Sequence, residues 1–271
     1  MAIMKLAIAG AGGRMGRTLT RIVRGAQGFM IAAGFTRAGS AYIGKDMGVL
    51  AGIGEIGVRV ESDARAAIAE ADGVIDFTRP AATAALSALT ARAGIVHIIG
   101  TTGLDEDHEQ AIETAARRTP IVKSGNMSLG VTVLSEIVRK VSAMLDKDFD
   151  IEITEMHHRH KVDAPSGTAL LLAAAAAHGR GVRLDERASY ARTGHIGKRI
   201  RGDIEFASLR GGSVVGEHSV IFAGDGERLE LVHRAQSRDI FARGALKAAL
   251  WAREQKPGLY SMSDVLRPGG R

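Results

Sequence analysis

The chain has 271 residues, of which 45% are hydrophobic and 4% aromatic, so it can bury a largely aliphatic core in one large domain or two medium ones. The absence of cysteine excludes disulfides, thiolate catalysis and Cys-ligated metal sites, and it fits a cytoplasmic location. A formal net charge of +6 predicts an anionic partner. Because long basic runs and interleaved aromatics are lacking, this partner is expected to be a small molecule rather than nucleic acid. No apolar stretch is long enough to cross a bilayer, so no membrane partner is expected.

The first half of the chain alternates short apolar strands with helical patterns. Asp63 and Pro80 are typical of helix starts. Because the strands are apolar throughout, the alternation predicts a Rossmann-like parallel sheet with helices on both faces. The predicted strands are Lys5–Ala9, Met30–Phe35, Val58–Val60, Val74–Phe77, Val96–Ile99 and Ile121–Lys123, and the predicted helices are Met15–Arg24, Ala64–Ala71, Pro80–Ala93 and one that starts near Asp105.

The pattern changes after about residue 128. Residues 203–234 are typical of an antiparallel meander with glycine-rich hairpin turns. The predicted elements are a helix from a Ser128 cap to Met144, a strand over Ile151–Met156, hairpin turns at Arg210-Gly211-Gly212 and Gly224-Asp225-Gly226, and a helix over Phe241–Arg253. We therefore predict an α/β protein in which an inserted α+β domain, residues 129–237, carries a mixed or antiparallel sheet. Residues 1–128 and 238–271 would form the dinucleotide-binding domain.

A glycine-rich turn joins the first strand to the first helix. Glycines let backbone N–H groups approach a pyrophosphate, and the helix N-terminus adds partial positive charge. Met15 stands where the strict dinucleotide fingerprint has its third glycine, so a turn without a ligand is the alternative. The buried strand before the turn and the helix after it favour dinucleotide binding. The residues predicted to contact the dinucleotide here are Gly10, Ala11, Gly12, Gly13, Arg14 and Met15.

The end of the second strand predicts which nicotinamide cofactor is bound. NAD sites place an acidic residue there for the ribose 2′-hydroxyl, but this strand ends in Thr36 and Arg37, and no acid precedes Asp46. A 2′-phosphate would find Arg37, with Arg14 nearby. NADPH is therefore the predicted cofactor and NADH a weaker one. The alternative is that the arginines of this stretch form a solvated helix face.

Two further loops follow buried strands at the carboxyl edge of the predicted sheet, where open α/β sheets bind ligands. The first contains Gly100, Thr101 and Thr102, and the second contains Ser124, Gly125, Asn126 and Met127. We predict that both contact the nicotinamide end of the cofactor. Ordinary hydroxyl-rich turns are the alternative.

Residues 157–161, His-His-Arg-His-Lys, concentrate titratable and cationic side chains in one segment. A metal site built on His158, His160 and Asp163 is one interpretation. The cations Arg159 and Lys161 would lie beside that metal, so anion binding is favoured and no metal is predicted.

The favoured interpretation is a pocket for a small dicarboxylate. Ser166, Gly167 and Thr168 open a helix whose free N–H groups can bind a carboxylate. Lys161 can donate a proton to a developing carbanion or enamine, and His157 can donate or accept one near neutral pH.

Five motifs stand out along the chain, namely Gly10–Met15, Asp76-Phe77-Thr78-Arg79-Pro80, Gly100–Gly103, Glu155–Ala169 and Gly211–His218. Together they resemble the 4-hydroxy-tetrahydrodipicolinate reductase family, formerly called dihydrodipicolinate reductases. The likeness covers essentially the whole chain, and the histidine–lysine segment with its Pro-Ser-Gly-Thr turn is very specific to that family.

The resemblance implies hydride transfer from a nicotinamide cofactor to a cyclic, unsaturated dicarboxylate, with loss of water, in diaminopimelate and lysine biosynthesis. It implies a proton donor and acceptor at His157, a proton donor at Lys161, substrate contact at His158, and carboxylate binding at Gly167 and Thr168. It also implies cofactor contacts at the three loops above and a homotetramer assembled through the sheet of the second domain. Thr36 replaces the acid that dual-cofactor members carry beside the arginine, which agrees with the predicted use of NADPH.

Two other functions stay open on the sequence alone. A related oxidoreductase for another anionic substrate would keep the glycine turn and the sheet, but it would not need this histidine–lysine cluster. A non-catalytic NADPH-binding regulator would bind without turnover. Arg159, His160 and Asp163 receive no role.

Overall fold

A computed structural model describes residues 2–190 and 192–267, which divide into two compact units. Unit 1 comprises the described residues up to Leu129 and from Arg238 on, and unit 2 comprises those of Gly130–Ser237. Residues 1 and 268–271 of the predicted first domain, and residue 191 of the second, lie outside the described residues.

The strands and helices of the described residues are numbered in chain order. The strands are β1 (Met4–Ala9), β2 (Phe29–Phe35), β3 (Val60–Glu61), β4 (Gly73–Asp76), β5 (Val96–Ile99), β6 (Pro120–Lys123), β7 (Asp150–His157), β8 (Ala188–Ser189), β9 (Ile204–Arg210), β10 (Gly216–Gly224), β11 (Glu227–Ala235) and β12 (Gly258–Tyr260). The helices are α1 (Arg14–Gly25), α2 (Met47–Ala51), α3 (Ala64–Ile68), α4 (Pro80–Ala93), α5 (Glu106–Ala116), α6 (Leu129–Met144), α7 (Gly167–Arg180), α8 (Leu184–Arg187), α9 (Asp239–Ala252) and α10 (Met262–Leu266).

The described part of unit 1 contains a seven-stranded parallel sheet in the order β12-β6-β5-β4-β1-β2-β3. Alternate residues of β1 pack in two different cores. Leu6 and Ile8 lie in the core with α1, α9 and α10, whereas Ala7 and Ala9 lie in the core with α3 and α4. Helices therefore cover both faces, which confirms the predicted Rossmann-like fold and explains why its strands are mostly apolar.

Local signals set where several helices of unit 1 begin. The Asp63 carboxylate accepts hydrogen bonds from the N–H groups of Arg65 and Ala66, and Pro80 is the first residue of α4. The third strand was predicted at Val58–Val60, but β3 begins at Val60. The carbonyl of Val58 accepts a hydrogen bond from the N–H of Met47 rather than from a neighbouring strand of the sheet. Helix α3 is also shorter than predicted and ends at Ile68.

The described part of unit 2 contains a five-stranded mixed sheet in the order β11-β10-β7-β9-β8. Helices α6 and α7 pack against one of its faces. The residues that form this core include Ile151 and Ile153 of β7, Phe206 of β9, Phe222 of β10, and Leu172 of α7. The mixed sheet of the second domain is thereby confirmed.

The predicted antiparallel meander is wrong in its first half. Strands β10 and β11 do form an antiparallel hairpin, but β9 runs parallel to β7, and β7 lies between β9 and β10. The Arg210-Gly211-Gly212 segment is therefore not a hairpin turn. Its backbone bonds to the end of β7 instead, because the N–H of Gly211 donates to His157 and the carbonyl of Gly212 accepts from Arg159.

Candidate active site

The glycine turn of unit 1 lies between β1 and α1, where the strand order of the sheet reverses. Sheets of this type bind ligands at the carboxyl ends of the strands beside such a reversal. Gly10 has a φ of +67°, which disfavours any side chain. Gly16 lies in the first turn of α1, where an added Cβ would collide with the carbonyl oxygen of Gly10. The tight turn therefore depends on both glycines.

A cleft of about 560 Å³ opens at this point of unit 1. Its lining includes four residues predicted from the sequence, namely Gly10, Gly13, Thr36 and Arg37, together with Ser40, Tyr42, Thr78 and Arg79. Two arginines and no acidic residue are present among the described lining residues. Arg79 was missed as a site residue, although it belongs to a motif that the sequence had singled out.

Tyr42 is a second residue that the sequence did not indicate. Its ring lies against Gly12, in the space that a Cβ there would occupy. The Arg17 guanidinium carbon is 5.3 Å from the centre of this ring, and Arg17 Nε donates to the carbonyl of Gly12 at 2.9 Å. Gly12 is thus enclosed by side chains rather than open to the cleft.

The remaining predicted residues of the glycine turn differ in exposure. Arg14 is exposed, Met15 is half-buried against the core, and Ala11 is buried with its N–H bonded to the carbonyl of Phe35. None of these three lines the cleft.

A buried carboxylate ties the loop after β4 to the loop after β5. Asp76 accepts hydrogen bonds from the N–H of Thr78 at 2.8 Å and from the hydroxyl of Thr83 at 2.7 Å. The Thr78 N–H also contacts the hydroxyl of Thr101 at 3.0 Å. Burial by itself would raise the pKa of Asp76, but His97 and the threonine hydroxyls outweigh it and hold that pKa below its usual value. An ionised carboxylate therefore holds Thr101 in place, next to the exposed Thr102.

The other predicted cofactor residues lie in or beside the loops after β5 and β6. Gly100 packs so closely against the Phe77 ring that a Cβ would collide with it. The N–H of Ser124 donates to the carbonyl of Ile99 at 3.0 Å, and Gly125 is exposed. The Asn126 side chain accepts from the N–H of Ser128 at 2.8 Å. Met127 is only 1% exposed and lies in the core of unit 1, so the structure does not bring its side chain to the cleft.

In unit 2, the inward-facing row of β7 changes from apolar to titratable residues along the strand. Alternate residues of a strand share one face. Ile151 and Ile153 begin the row within the core, and Glu155 and His157 end it with 2% and 9% exposure. The candidate site of unit 2 therefore lies directly beside its hydrophobic core.

Both oxygens of the Glu155 carboxylate are occupied. Arg210 donates to the two oxygens at 2.7 and 2.8 Å, and His157 Nδ1 lies 2.6 Å from Oε2. The N–H of Ser166 donates to Oε1 at 3.3 Å. Burial would raise the pKa of Glu155, but the bonds from Arg210 and His157 outweigh it and hold that pKa below its ordinary value. Glu155 is therefore a carboxylate, and His157 Nδ1 must carry the shared proton.

His218 lies across from Glu155 on β10, and its ring centre is 5.1 Å from that of His157. Burial, with the nearby His157, lowers the pKa of His218 to about 4. The Ser166 hydroxyl accepts from the N–H of Ala169 and lies 2.9 Å from His218 Nε2. This contact between Ser166 and His218 connects the N-cap of α7 to β10.

The loop between β7 and α7 carries the other predicted residues. Lys161 donates to both oxygens of Asp163 at 2.8 Å, and the Arg210 guanidinium donates to the carbonyl of Asp163 at 2.6 Å. The rings of His158 and His160 lie 6.3 Å apart. Gly167 and Thr168 form the first turn of α7, for which Ser166 is the N-cap. No cluster of three or more His, Asp or Glu side chains suited to a metal ion occurs within residues 2–190 and 192–267.

Comparison with known proteins decides the family. The model described as "Dihydrodipicolinate reductase, N-terminus" matches residues 4–127, and that described as "Dihydrodipicolinate reductase, C-terminus" matches residues 130–266. The chain belongs to the dihydrodipicolinate reductase family. The resemblance read from the sequence motifs is thereby confirmed.

Relatives within the dihydrodipicolinate reductase family match over the whole length. The proteins named 4-hydroxy-tetrahydrodipicolinate reductase from Methylocella silvestris and Beijerinckia indica are each 58% identical, over 271 and 270 residues, with complete coverage of both chains. A solved dihydrodipicolinate reductase from Paenisporosarcina sp. TG-14, with dipicolinate bound, has a TM-score of 0.77 and 22% identity, covering 97% of this chain and 100% of its own. That structural match supports the fold.

More distant structures share this fold with members of the dihydrodipicolinate reductase family. The amine dehydrogenase of Mycobacterium smegmatis has a TM-score of 0.59 and 11% identity, covering 96% of this chain and 95% of its own. Within the described residues, no helix is both long enough and apolar enough to cross a membrane.

Proposed function

We propose that this chain is a reductase of 4-hydroxy-tetrahydrodipicolinate, which it converts with NAD(P)H and loss of water to tetrahydrodipicolinate. The observation that carries the proposal is His157, a buried imidazole held by Glu155 beside the Lys161 loop and the N-terminus of α7. Relatives at 58% identity bear this reductase name. A non-catalytic cofactor-binding regulator would not need this arrangement of proton-carrying groups.

Each group in unit 2 has one proposed role. The N–H groups of Gly167 and Thr168, in the first turn of α7, bind a substrate carboxylate. His158 contacts the substrate. The bound nicotinamide supplies a hydride, and Lys161 supplies the proton that the reduced carbanion or enamine then needs. His157 donates or accepts a proton at Nε2, since its Nδ1 is engaged by Glu155.

The cleft of unit 1, lined by Gly10 and Gly13, is the proposed cofactor site. The rest of Gly10–Met15 and the loops Gly100–Thr102 and Ser124–Met127 are proposed to contact the cofactor outside this lining, Met127 through its backbone alone. The cleft volume of about 560 Å³ accommodates part of a dinucleotide. Arg37 and Arg79 line it, and no acidic residue lines it among the described residues. A 2′-phosphate would therefore be attracted there, which supports a preference for NADPH over NADH.

We further propose a cytoplasmic homotetramer that assembles through the sheet of unit 2. Helices α6 and α7 cover only one face of that sheet. Leu209 and Val232 lie on its other face and are 55% and 39% exposed. Sedimentation of the purified protein tests the assembly, and a monomer at micromolar concentration would contradict it.

The activity is tested by adding freshly prepared cyclic dicarboxylate to the protein and NADPH, and by following the loss of reduced nicotinamide. Turnover that depends on both reactants is the expected result. A panel of other small anionic carbonyl and imine compounds serves as the control. Turnover of one of these in place of the cyclic dicarboxylate would assign the chain a different substrate.

A further inference from the structure

A single buried carboxylate connects three segments that carry the proposed chemistry of unit 2. Glu155 bonds directly to His157, and it accepts the N–H of Ser166, which precedes the carboxylate-binding turn of α7. Through Arg210 it is linked to the carbonyl of Asp163, in the loop that carries Lys161. The sequence showed Glu155 only as part of a motif and indicated no role for it.

We propose that Glu155, clamped by Arg210, is the positioning residue of this site, which fixes the tautomer of His157 and the placement of the Lys161 loop. Neither Glu155 nor Arg210 is required to touch the substrate. The inference rests on the proposed proton-transfer role of His157.

The tautomer follows from the hydrogen bonds around Glu155. Its carboxylate carries no proton, because Arg210 occupies both oxygens with a bidentate pair of N–H donors. The 2.6 Å contact with His157 therefore requires a proton on Nδ1. In the neutral imidazole, Nε2 is then the basic nitrogen, and in the protonated ring Nε2 carries the transferable proton. The orientation of the ring is fixed as well.

Gly216 leaves room for this orientation of the ring. A Cβ built on Gly216 would lie 3.0 Å from His157 Nε2 and 3.4 Å from Cδ2. The Nε2 edge of the His157 ring, which would exchange protons, therefore faces the backbone of Gly216 on β10. If His157 carried its proton on Nε2 instead, Nδ1 could not donate, and the hydrogen bond to Glu155 would be lost.

Arg210 extends the same arrangement to the Lys161 loop. One of its terminal nitrogens donates both to Glu155 and to the carbonyl of Asp163, and Asp163 in turn accepts from Lys161. Strand register supports this, since Arg210 is the β9 partner of His157. The two proposed proton carriers are thereby held by one ion pair.

Stability alone does not account for the pair. A buried ion pair is commonly no more stabilising than apolar side chains of similar volume, because both charges lose their hydration. The tests of Glu155 and Arg210 therefore measure the tautomer of His157 and kcat, which a purely structural role would leave unchanged.

The first test measures the tautomer itself in the protein without substrate. Nitrogen chemical shifts of ¹⁵N-labelled imidazoles are expected to show His157 as the Nδ1–H form in the wild type. In Glu155→Gln, we expect the amide oxygen at the Oε1 position, where Arg210 and the N–H of Ser166 both donate. The NH₂ group then takes the Oε2 position beside His157, so Nδ1 must accept. His157 is then expected to switch to the Nε2–H form.

The second test is kinetic. In Glu155→Gln we expect kcat to fall at least about 100-fold, as when the orienting carboxylate of a carboxylate–histidine pair is replaced by an amide. The KM for NADPH is expected to stay within about twofold of wild type, because the cofactor cleft is built from unit 1. An unchanged tautomer together with an unchanged kcat would overturn the proposal.

Two further variants separate positioning from loss of the fold. Glu152→Gln is the matched control, because Glu152 lies on β7 and pairs with Arg199 at 3.1 Å but is not in the inward-facing row. It should retain wild-type kcat. Glu155→Gln/Arg210→Gln removes both charges and so avoids a lone buried cation. A folded double variant with wild-type kcat would also overturn the proposal.

Failure of the proposed function gives a different result. A wild-type protein that never turns over the cyclic dicarboxylate refutes that function, while the nitrogen shifts still report whether Glu155 sets the tautomer. A working wild type with an unaffected Glu155→Gln variant refutes only the positioning role.

Discussion

Lys161 is held 2.8 Å from both oxygens of Asp163 in the loop that follows β7. If it supplies the proton after hydride transfer, its loss affects the chemical step rather than the cofactor. We expect Lys161→Ala to lower kcat by at least about 100-fold, the usual contribution of a general acid. The dissociation constant of NADPH, measured by fluorescence titration, should change little.

The control for this prediction is Lys140→Ala, which removes an exposed lysine from α6. Its kcat should equal that of the wild type. An unchanged kcat in Lys161→Ala would remove this lysine from the mechanism.

Arg37 lines the proposed cofactor cleft together with Arg79. A charge-assisted bond to a 2′-phosphate contributes about 1.5–3 kcal/mol, so Arg37→Ala should raise the KM for NADPH roughly 10- to 100-fold. NADH has no such phosphate, and its KM should not rise. Steady-state kinetics with both cofactors measure this, with Arg24→Ala on the exposed side of α1 as the matched control. Equal effects on NADPH and NADH would contradict a phosphate contact.

The sequence predicts His157 and Lys161 as site residues because charged residues cluster there, within five positions. It could not identify the distant residues that hold this segment. Arg210 lies 55 positions after Glu155, and His218 lies 52 positions after Ser166. Only the strand register places these side chains together, and no local pattern encodes that register. The alternation of Ile151, Ile153, Glu155 and His157 was the one available signal, since it ends an inward-facing apolar row in two polar residues.

The glycine turn and helix α1 form one element whose geometry depends on particular glycines. A Cβ at Gly16 would collide with the backbone oxygen of Gly10, which cannot move without opening the turn. We expect Gly16→Ala to destabilise the protein by about 1–3 kcal/mol and to weaken NADPH binding. Urea denaturation and cofactor titration provide the two measurements.

Gly25, at the other end of α1, is the matched control. A Cβ there meets nothing within 4 Å among the described residues. Gly25→Ala should therefore leave cofactor binding unchanged and raise stability by about 0.5–1 kcal/mol, because alanine loses less backbone entropy on folding. Equal destabilisation by both substitutions would refute the steric argument.

Most of the elements of unit 1 could be predicted, because its strands are mostly apolar and α3, α4 and α5 begin at Asp63, Pro80 and Asp105. Helix α4 and strand β5 have the predicted bounds. The pairing in unit 2 could not be predicted in the same way. A glycine pair at positions 211 and 212 indicates that the chain turns, but it does not determine which strand lies beside β9. Residues of β7, α7 and β9 share one core, which favours the parallel pairing of β7 with β9 across the helix between them.

The stability of the whole chain should depend on pH through His218. Its pKa is lowered from 6.5 to about 4, so the unfolded chain takes up a proton at a higher pH than the folded one. Stability is therefore complete above pH 6.5 and is lost as the pH falls toward 4, by about 3 kcal/mol in all and roughly 2 kcal/mol by pH 5. The lowered pKa values of Asp76 and Glu155 reduce the stability of the folded chain only below about pH 4.5, where the carboxyls of the unfolded chain become protonated.

Urea denaturation at pH 7 and pH 5 tests this dependence. His218→Gln has no group that titrates at this position, so it should lose about 2 kcal/mol less than the wild type between the two pH values. The difference between the proteins removes contributions that both share. Parallel losses in wild type and variant would show that His218 does not control acid stability.

The central position of β7 also has a consequence for synthesis of the chain. Strand β7 is complete at residue 157, but its neighbours β9 and β10 end at residues 210 and 224. On the ribosome, the backbone of β7 has no strand partner, and Glu155 lacks Arg210, until more than 50 further residues have been made. Pairing over such separations is slow, and an unpaired apolar strand is prone to aggregate. A nascent chain that stops before β10 would therefore hold Glu155 and His157 without a complete site, and it is the form that we expect chaperones to bind.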